Sequence, residues 1–181
     1  MDSLLCAQIN THHCIAAMAQ LSLIASNHNI DIFFIQEPYC YNGDPCYLPQ
    51  NYTLHYVKSN ANPRACILIR NTITQYFLGM SKFSTPDNMI AVTSTNPPLH
   101  IVSSYLPPYD TLSQDLVPIE TFLDEEKPIN MIWSLDSNCK HSMWFSPVTD
   151  ARGKRIVEFL SSYSLTTSNE KDLPTFSGAQ G

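Results

Sequence analysis

Asp136 and Asn138 stand two residues apart at the end of the apolar segment Trp133-Ser134-Leu135. In an extended strand, residues i and i+2 project from the same face, so an acid and an amide at this spacing point into one cleft. A carboxylate that holds a water or metal, beside an amide that donates to an anionic oxygen, suits hydrolysis of a phosphate ester. The same residues also suit a strand that simply ends in turn formers, so the pair needs support elsewhere. Three further strand ends supply it: Asn10, Glu37 and Tyr105 each close an apolar or β-branched run. Glu37 and Asn10 offer hard oxygen ligands of the kind magnesium takes. Asp136 can orient or deprotonate a water, while Asn138 and the Tyr105 hydroxyl can stabilise charge on a phosphorane-like transition state. Taken singly, Asn10 also fits a helix N-cap, Glu37 a solvated strand end before Pro38, and Tyr105 a rim aromatic.

The elements that must position these residues can be read from periodicity. Residues 4–10 form a short strand pattern, and residues 13–28 carry apolar side chains near helical spacing, closed by Asn27-His28-Asn29. Residues 30–38 are a strongly apolar run stopped by proline, with Glu37 at its exit. After a loop over 39–51, short strands follow at 52–57, 64–70, 73–77, 89–94 and 99–105, punctuated by Asn62-Pro63, Thr85-Pro86 and Asn96-Pro97-Pro98. A helix is predicted over 114–123, a strand over 129–135 and a third helix over 150–162 with Asp150 as N-cap. Short strands at 165–167 and from Pro174 complete the pattern. Many short strands with few helices predict a layered α/β sandwich, and five glycines leave no room for a glycine-rich nucleotide loop.

The chain has 181 residues, 44% of them hydrophobic, which is enough for one core and argues against disorder. A single domain over 1–181 is therefore the expectation. The net charge of -6 opposes binding of nucleic acid through a broad basic surface, yet is compatible with a nuclease whose metal site is itself acidic. Six cysteines without a CxxC pair make a structural zinc site improbable and are expected as reduced residues in or near the core. No secretory signal and no bilayer-length apolar stretch is visible, which predicts a protein of cytosol or nucleus with no membrane partner.

The segments Gln8-Ile9-Asn10, Gln36-Glu37-Pro38-Tyr39, Ser104-Tyr105-Leu106-Pro107-Pro108 and Asp136-Ser137-Asn138, followed by Lys140-His141 and Trp144, resemble the endonuclease/exonuclease/phosphatase superfamily. Within it they are similar to the apurinic-endonuclease-like domain of non-LTR, LINE-type retrotransposons, especially the R1-like group. Arg64-Ala65-Cys66 and the run through Gly153, Leu160, Leu165 and Pro174-Thr175-Phe176 fit the same pattern. The resemblance covers nearly the whole chain. It implies a four-layer α/β sandwich and nicking of one strand of double-stranded DNA, freeing a 3′ hydroxyl for a reverse transcriptase domain in the same polyprotein. It further implies a magnesium or manganese cofactor, nuclear localisation and a monomer. Carried over by residue, Asn10 and Glu37 look like the metal pair, Tyr105 the phenol near the phosphate, Asp136 the water-orienting acid and Asn138 its phosphate-contacting neighbour.

Members of that group continue past Pro-Thr-Phe into strands bearing an Asp that orients a His, and this chain stops at Gly181. A C-terminally incomplete fold lacking its last strands is therefore expected, at a cost of about 10²-fold or more in rate for the lost His. His12, His13 and His141 are poor substitutes, since no orienting acid is evident beside them. Lys140, His141, Trp144, Arg152 and Arg155 are possible DNA contacts, although Arg152-Gly153-Lys154-Arg155 also suits a solvated helix start. Two other readings stand beside the endonuclease: an inactive retrotransposon-derived fragment or interaction module, and a small-molecule phosphoesterase of the same fold.

Overall fold

The structure is a computed structural model that describes residues 3–109 and 111–169. The chain divides into two units, one of residues 1–106 with 113–136 and one of residues 107–112 with 137–181.

The first unit holds two four-stranded mixed sheets. One has the strand order β1 (Cys6–Asn10), β2 (Ile32–Gln36), β6 (Ala65–Arg70), β5 (Tyr52–His55). The other runs β10 (Asn130–Asp136), β9 (Leu99–Tyr105), β8 (Asn88–Thr93), β7 (Phe77–Met80). In each sheet a single pair is parallel, β1 with β2 and β9 with β10, and each pair is joined by a helical crossover: α1 (Ile15–His28) and α2 (Leu112–Glu126). Parallel neighbours need such a crossover because their strands must start at the same end.

Side-chain alternation assigns the layers. On β2, Ile32 and Phe34 face inward with Ala65, Ile67 and Ile69 of β6, against Met89, Ala91 and Ile101 of the second sheet. Phe33 and Ile35 face outward and meet Met18 and Leu21 of α1. α2 buries Leu116, Ile119, Phe122 and Leu123, and the Phe122 ring lies 5.4 Å from His100 of β9 and 6.0 Å from Phe83. Each fully buried side chain of this size contributes about 1.5–3 kcal/mol, which lets α2 tolerate Pro118 and its missing N–H within the helix. Helix, sheet, sheet, helix is the expected four-layer sandwich.

The inner face turns polar at one rung. Gln36, fully buried, donates from Nε2 to Ser103 Oγ of β9 at 3.0 Å and to Ser134 Oγ of β10 at 3.3 Å, so one amide spans both sheets. Gln8 Nε2 donates to its Oε1 at 3.4 Å.

Several local expectations are corrected. Residues 73–77 are not a strand: Thr74–Tyr76 form a 3₁₀ turn, because the Thr74 hydroxyl bonds the carbonyls of Arg70 and Asn71 and competes with the ladder, so β7 starts only at Phe77. Residues 165–167 carry no strand. The 39–51 loop contains a hairpin of β3 (Cys40–Tyr41) and β4 (Asp44–Pro45), whose turn residues Asn42 and Gly43 have the positive φ values, 52° and 86°, that a two-residue hairpin requires. All six cysteines are free thiols, but only Cys66 is buried and Cys14 is exposed. The strand expected from Pro174 lies outside the described residues. No described helix is long and apolar enough to cross a membrane.

Replacing Gln36 by Ala strands two buried hydroxyls and leaves a cavity, and should cost about 2–4 kcal/mol in urea unfolding. Gln36→Leu combined with Ser103→Ala and Ser134→Ala, which removes donor and acceptors together, should recover most of that loss.

Candidate active site

Register brings four of the expected residues together. Asn10 pairs with Gln36 at the last rung of β1 and β2, and Asp136 pairs with Tyr105 at the last rung of β9 and β10. Both parallel pairs end at the same edge of the inner face, where the core gives way to solvent. There the Asn10 side chain links the two sheets: its Nδ2 donates to Glu37 Oε2 at 3.0 Å and to Asp136 Oδ2 at 2.5 Å. Its Oδ1 accepts from the His12 backbone N at 2.8 Å.

Glu37 leaves β2 with φ +48°, a value uncommon for a residue without glycine's freedom and at odds with the extended conformation favoured before proline. Such a conformation costs about 1–3 kcal/mol and persists only where its surroundings over-determine it. Here three bonds do so. Glu37 N donates to Arg64 O at 2.8 Å, and Glu37 O accepts from His13 N at 2.8 Å and from the buried Thr11 Oγ1 at 2.6 Å. The carboxylate is 16% exposed, with His12 Nδ1 3.5 Å from Oε2 and His13 Nε2 3.6 Å from Oε1. The expectation that no acid stands beside these two histidines is therefore corrected. Both imidazoles flank Glu37 because His12 and His13, each with positive φ, turn the chain over the strand end before α1 begins.

Tyr105 is 6% exposed. Burial pushes its phenol up to about 12, reinforced by its hydrogen bond to Glu37 and by the negative charge there, while Arg64 pulls the other way. Up to pH values near that figure the group is a neutral O–H donor. The Arg64 guanidinium lies over the Tyr105 ring, 5.0 Å from its centroid. Sequence reasoning noted Arg64 only as part of a family pattern. The available signal was a lone cation opening the wholly apolar strand Ala65–Ile69.

The donor set suits a hard divalent cation. Two carboxylates, Glu37 and Asp136, converge on one electropositive atom, the Asn10 Nδ2, while the amide oxygen of the same side chain accepts from the His12 backbone N. Among the described residues no group of three or more His, Cys, Asp or Glu could hold a metal ion.

The remaining expected residues belong to the second unit. β10 ends at Asp136, and Asn138 has φ +47°, so strand alternation does not extend from the acid to the amide, and the same-face argument for that pair is corrected. Left-handed backbone is tolerated by Asn better than by most residues. Arg152 is half-buried, donating from Nε to Ser137 O at 3.0 Å and from Nη1 to Tyr109 O at 2.6 Å. Asp150 caps α3 (Ala151–Ser162) by accepting from Gly153 N at 2.6 Å, and its other oxygen accepts from Lys140 N at 3.0 Å. Asp150 N returns a bond to Lys140 O at 2.9 Å. His141 accepts from Met143 N and stacks 5.3 Å from Trp144, whose Nε1 donates to Cys139 O at 3.2 Å. The Lys140 and Arg155 side chains are exposed.

Comparisons with known proteins agree with this architecture. Residues 99–181 match the family described as endonuclease-reverse transcriptase. The chain is similar to the endonuclease domain of TRAS1, a telomere-specific non-LTR retrotransposon, with 24% identity, TM-score 0.76, and coverage of 96% of this chain and 77% of that one. It also resembles an endonuclease/exonuclease/phosphatase family protein from Leptotrichia buccalis, with 13% identity, TM-score 0.57, and coverage of 86% and 72%. A truncated TDP2 from Caenorhabditis elegans is 14% identical, with TM-score 0.50 and coverage of 74% and 61%. No curated protein sequence matches. The fold is that of the endonuclease/exonuclease/phosphatase superfamily.

In the second unit a Cβ on Gly153 would lie 2.1 Å from Lys140 O, a backbone atom that cannot swing aside. Helix propensity alone would favour Gly153→Ala by about 1 kcal/mol. The clash reverses the sign, and the variant should lose about 1–3 kcal/mol in denaturant unfolding.

Proposed function

We propose that this chain, which has the endonuclease/exonuclease/phosphatase fold and matches the endonuclease-reverse transcriptase family over residues 99–181, is the DNA-nicking endonuclease domain of a non-LTR retrotransposon. The observation that carries this reading is the convergence of Glu37 and Asp136, from facing sheets, on the Asn10 amide, with Tyr105 the register partner of Asp136. Acids and amides assembled at the strand ends of a rigid core have the composition of a phosphodiesterase site.

In this reading Glu37 and Asn10 hold magnesium or manganese, with Asp136 alongside. The bound cation supplies Lewis-acid polarisation of the phosphate and neutralises developing charge. Asp136, already fixed by Asn10, orients the attacking water and takes its proton. The Tyr105 phenol remains protonated and donates to a phosphate oxygen, and because burial opposes its ionisation it adds no negative charge against an anionic substrate. Asn138 is the phosphate-contacting amide that the family resemblance implies. Thr11 and Arg64 hold the Glu37 backbone and act as positioning residues through it.

The substrate is double-stranded DNA, the product a nick with a 3′ hydroxyl, and the consumer of that end a reverse transcriptase of the same polyprotein in the nucleus. Lys140, His141, Trp144, Arg152 and Arg155 are candidates for contact with the duplex, although Arg152 already donates to two backbone carbonyls.

The test is conversion of supercoiled plasmid to open circles with magnesium, run beside hydrolysis of a soluble phosphomonoester by the same preparation. Nicking without monoester hydrolysis is expected. Glu37→Ala and Asp136→Ala should each lower the nicking rate by about 10²-fold or more. Monoester hydrolysis alone would assign the site to a small-molecule phosphatase, and undiminished nicking by Glu37→Ala would refute the metal assignment.

A further inference from the structure

A site built from Glu37 and Asp136 repels the polyanion it is proposed to cut, so a cation beside Tyr105 calls for an explanation. Arg64 is that cation. Its backbone is pinned on both sides: Arg64 N donates to Pro86 O at 2.8 Å, and Arg64 O accepts from Glu37 N at 2.8 Å. Its guanidinium lies over the Tyr105 ring face at 5.0 Å. A cation over a ring face keeps its charge, and a guanidinium's planar N–H fork matches the oxygens of a phosphate.

A purely structural ion pair does not account for it. The nearest carboxylate is that of Asp87, whose Oδ1 lies 3.9 Å from Arg64 Nε, beyond hydrogen-bond distance. Burial raises the Asp87 carboxyl above its ordinary range, and Arg64 lowers it without cancelling that effect. Among the described residues the polar contact of the Arg64 guanidinium is this 3.9 Å approach to Asp87. The side chain is 36% exposed, open enough to reach a ligand and covered enough for the contact to be partly desolvated.

We infer that Arg64 is a substrate-binding residue that grips a non-bridging oxygen of the phosphodiester addressed by Tyr105 and Asp136. Its place over the phenol ring lets hydroxyl and guanidinium approach the same phosphate from neighbouring positions. This inference rests on the reading of the site as one that handles DNA phosphodiesters, and it assigns the anchoring charge to a side chain rather than to the metal alone.

The test measures duplex binding by the whole chain in EDTA, which prevents cleavage, over a salt titration. For Arg64→Ala and Arg64→Gln the slope of log K against log salt should fall by about 0.9, the loss of one phosphate contact, while Arg64→Lys should keep the slope. Asp87→Asn should keep it as well. In magnesium, the Ala and Gln variants should nick with kcat/KM reduced about 10–100-fold and Lys should restore part of it. In the unaltered chain, duplex DNA should protect Arg64 from phenylglyoxal, a readout that does not depend on any variant folding. An unchanged slope in both neutral variants, or modification of Arg64 undiminished by saturating DNA, overturns the inference while leaving nicking by the unaltered chain intact. Failure of the unaltered chain to bind or nick duplex DNA overturns the underlying reading, and this inference with it.

Discussion

The chemistry of the first unit depends on where its two sheets meet at a polar rung. Across most of that interface, Ile32, Phe34, Ile67 and Ile69 oppose Met89, Ala91 and Ile101, and the contact is nondirectional. At the last inward position of β2 the apolar series gives way to Gln36, whose buried amide bonds Ser103 and Ser134 together. Those bonds are directional, and a buried amide without them would cost about 1–3 kcal/mol. They hold the ends of β2, β9 and β10 in mutual register. Asn10, the register partner of Gln36 on β1, bonds Glu37 and Asp136 at once.

The site also stores strain. Glu37 sits at φ +48° directly before proline, held by bonds from Thr11, His13 and Arg64 that come from the turn into α1 and from the start of β6. These contacts connect the acid to two separate chain segments. The conformation turns the carboxylate out of the strand's alternation and toward Asn10, where a regular strand continuation would have carried it to the outer face.

Electrostatics then decide what each side chain can do. Burial and the neighbouring Glu37 keep Tyr105 a neutral donor, and Arg64 tempers the effect from the other face of the ring. A phenol, two carboxylates and a guanidinium thus come together at the strand ends. The second unit contributes its own rigid piece, in which Asp150 ties the α3 start to the Lys140 backbone and Gly153 admits the close approach.

Much of this was legible in the amino-acid order. Apolar or β-branched runs of strand length, bounded by proline and turn residues, located β2, β8, β9 and β10, helical spacing located α1 and α3, and the Asp150 cap was readable because an acid preceded a helical pattern. Polar residues at the ends of apolar runs identified Asn10, Glu37, Tyr105 and Asp136, because a buried strand tolerates such groups only where it leaves the core. What local pattern could not reach were effects set by backbone torsion and by long-range pairing. Thr74 diverted its segment into a 3₁₀ turn, Asn138 left the strand by a left-handed residue, and His12 and His13 came beside Glu37 through a turn whose two positive φ values no periodicity signals. By itself, then, the sequence determined which polar residues stand at strand ends, since burial and hydrogen-bonding demands act residue by residue. The tertiary structure alone decided that Asn10 reaches Asp136, 126 positions away, and that Arg64 covers Tyr105, because those contacts exist only once the two sheets have packed in register.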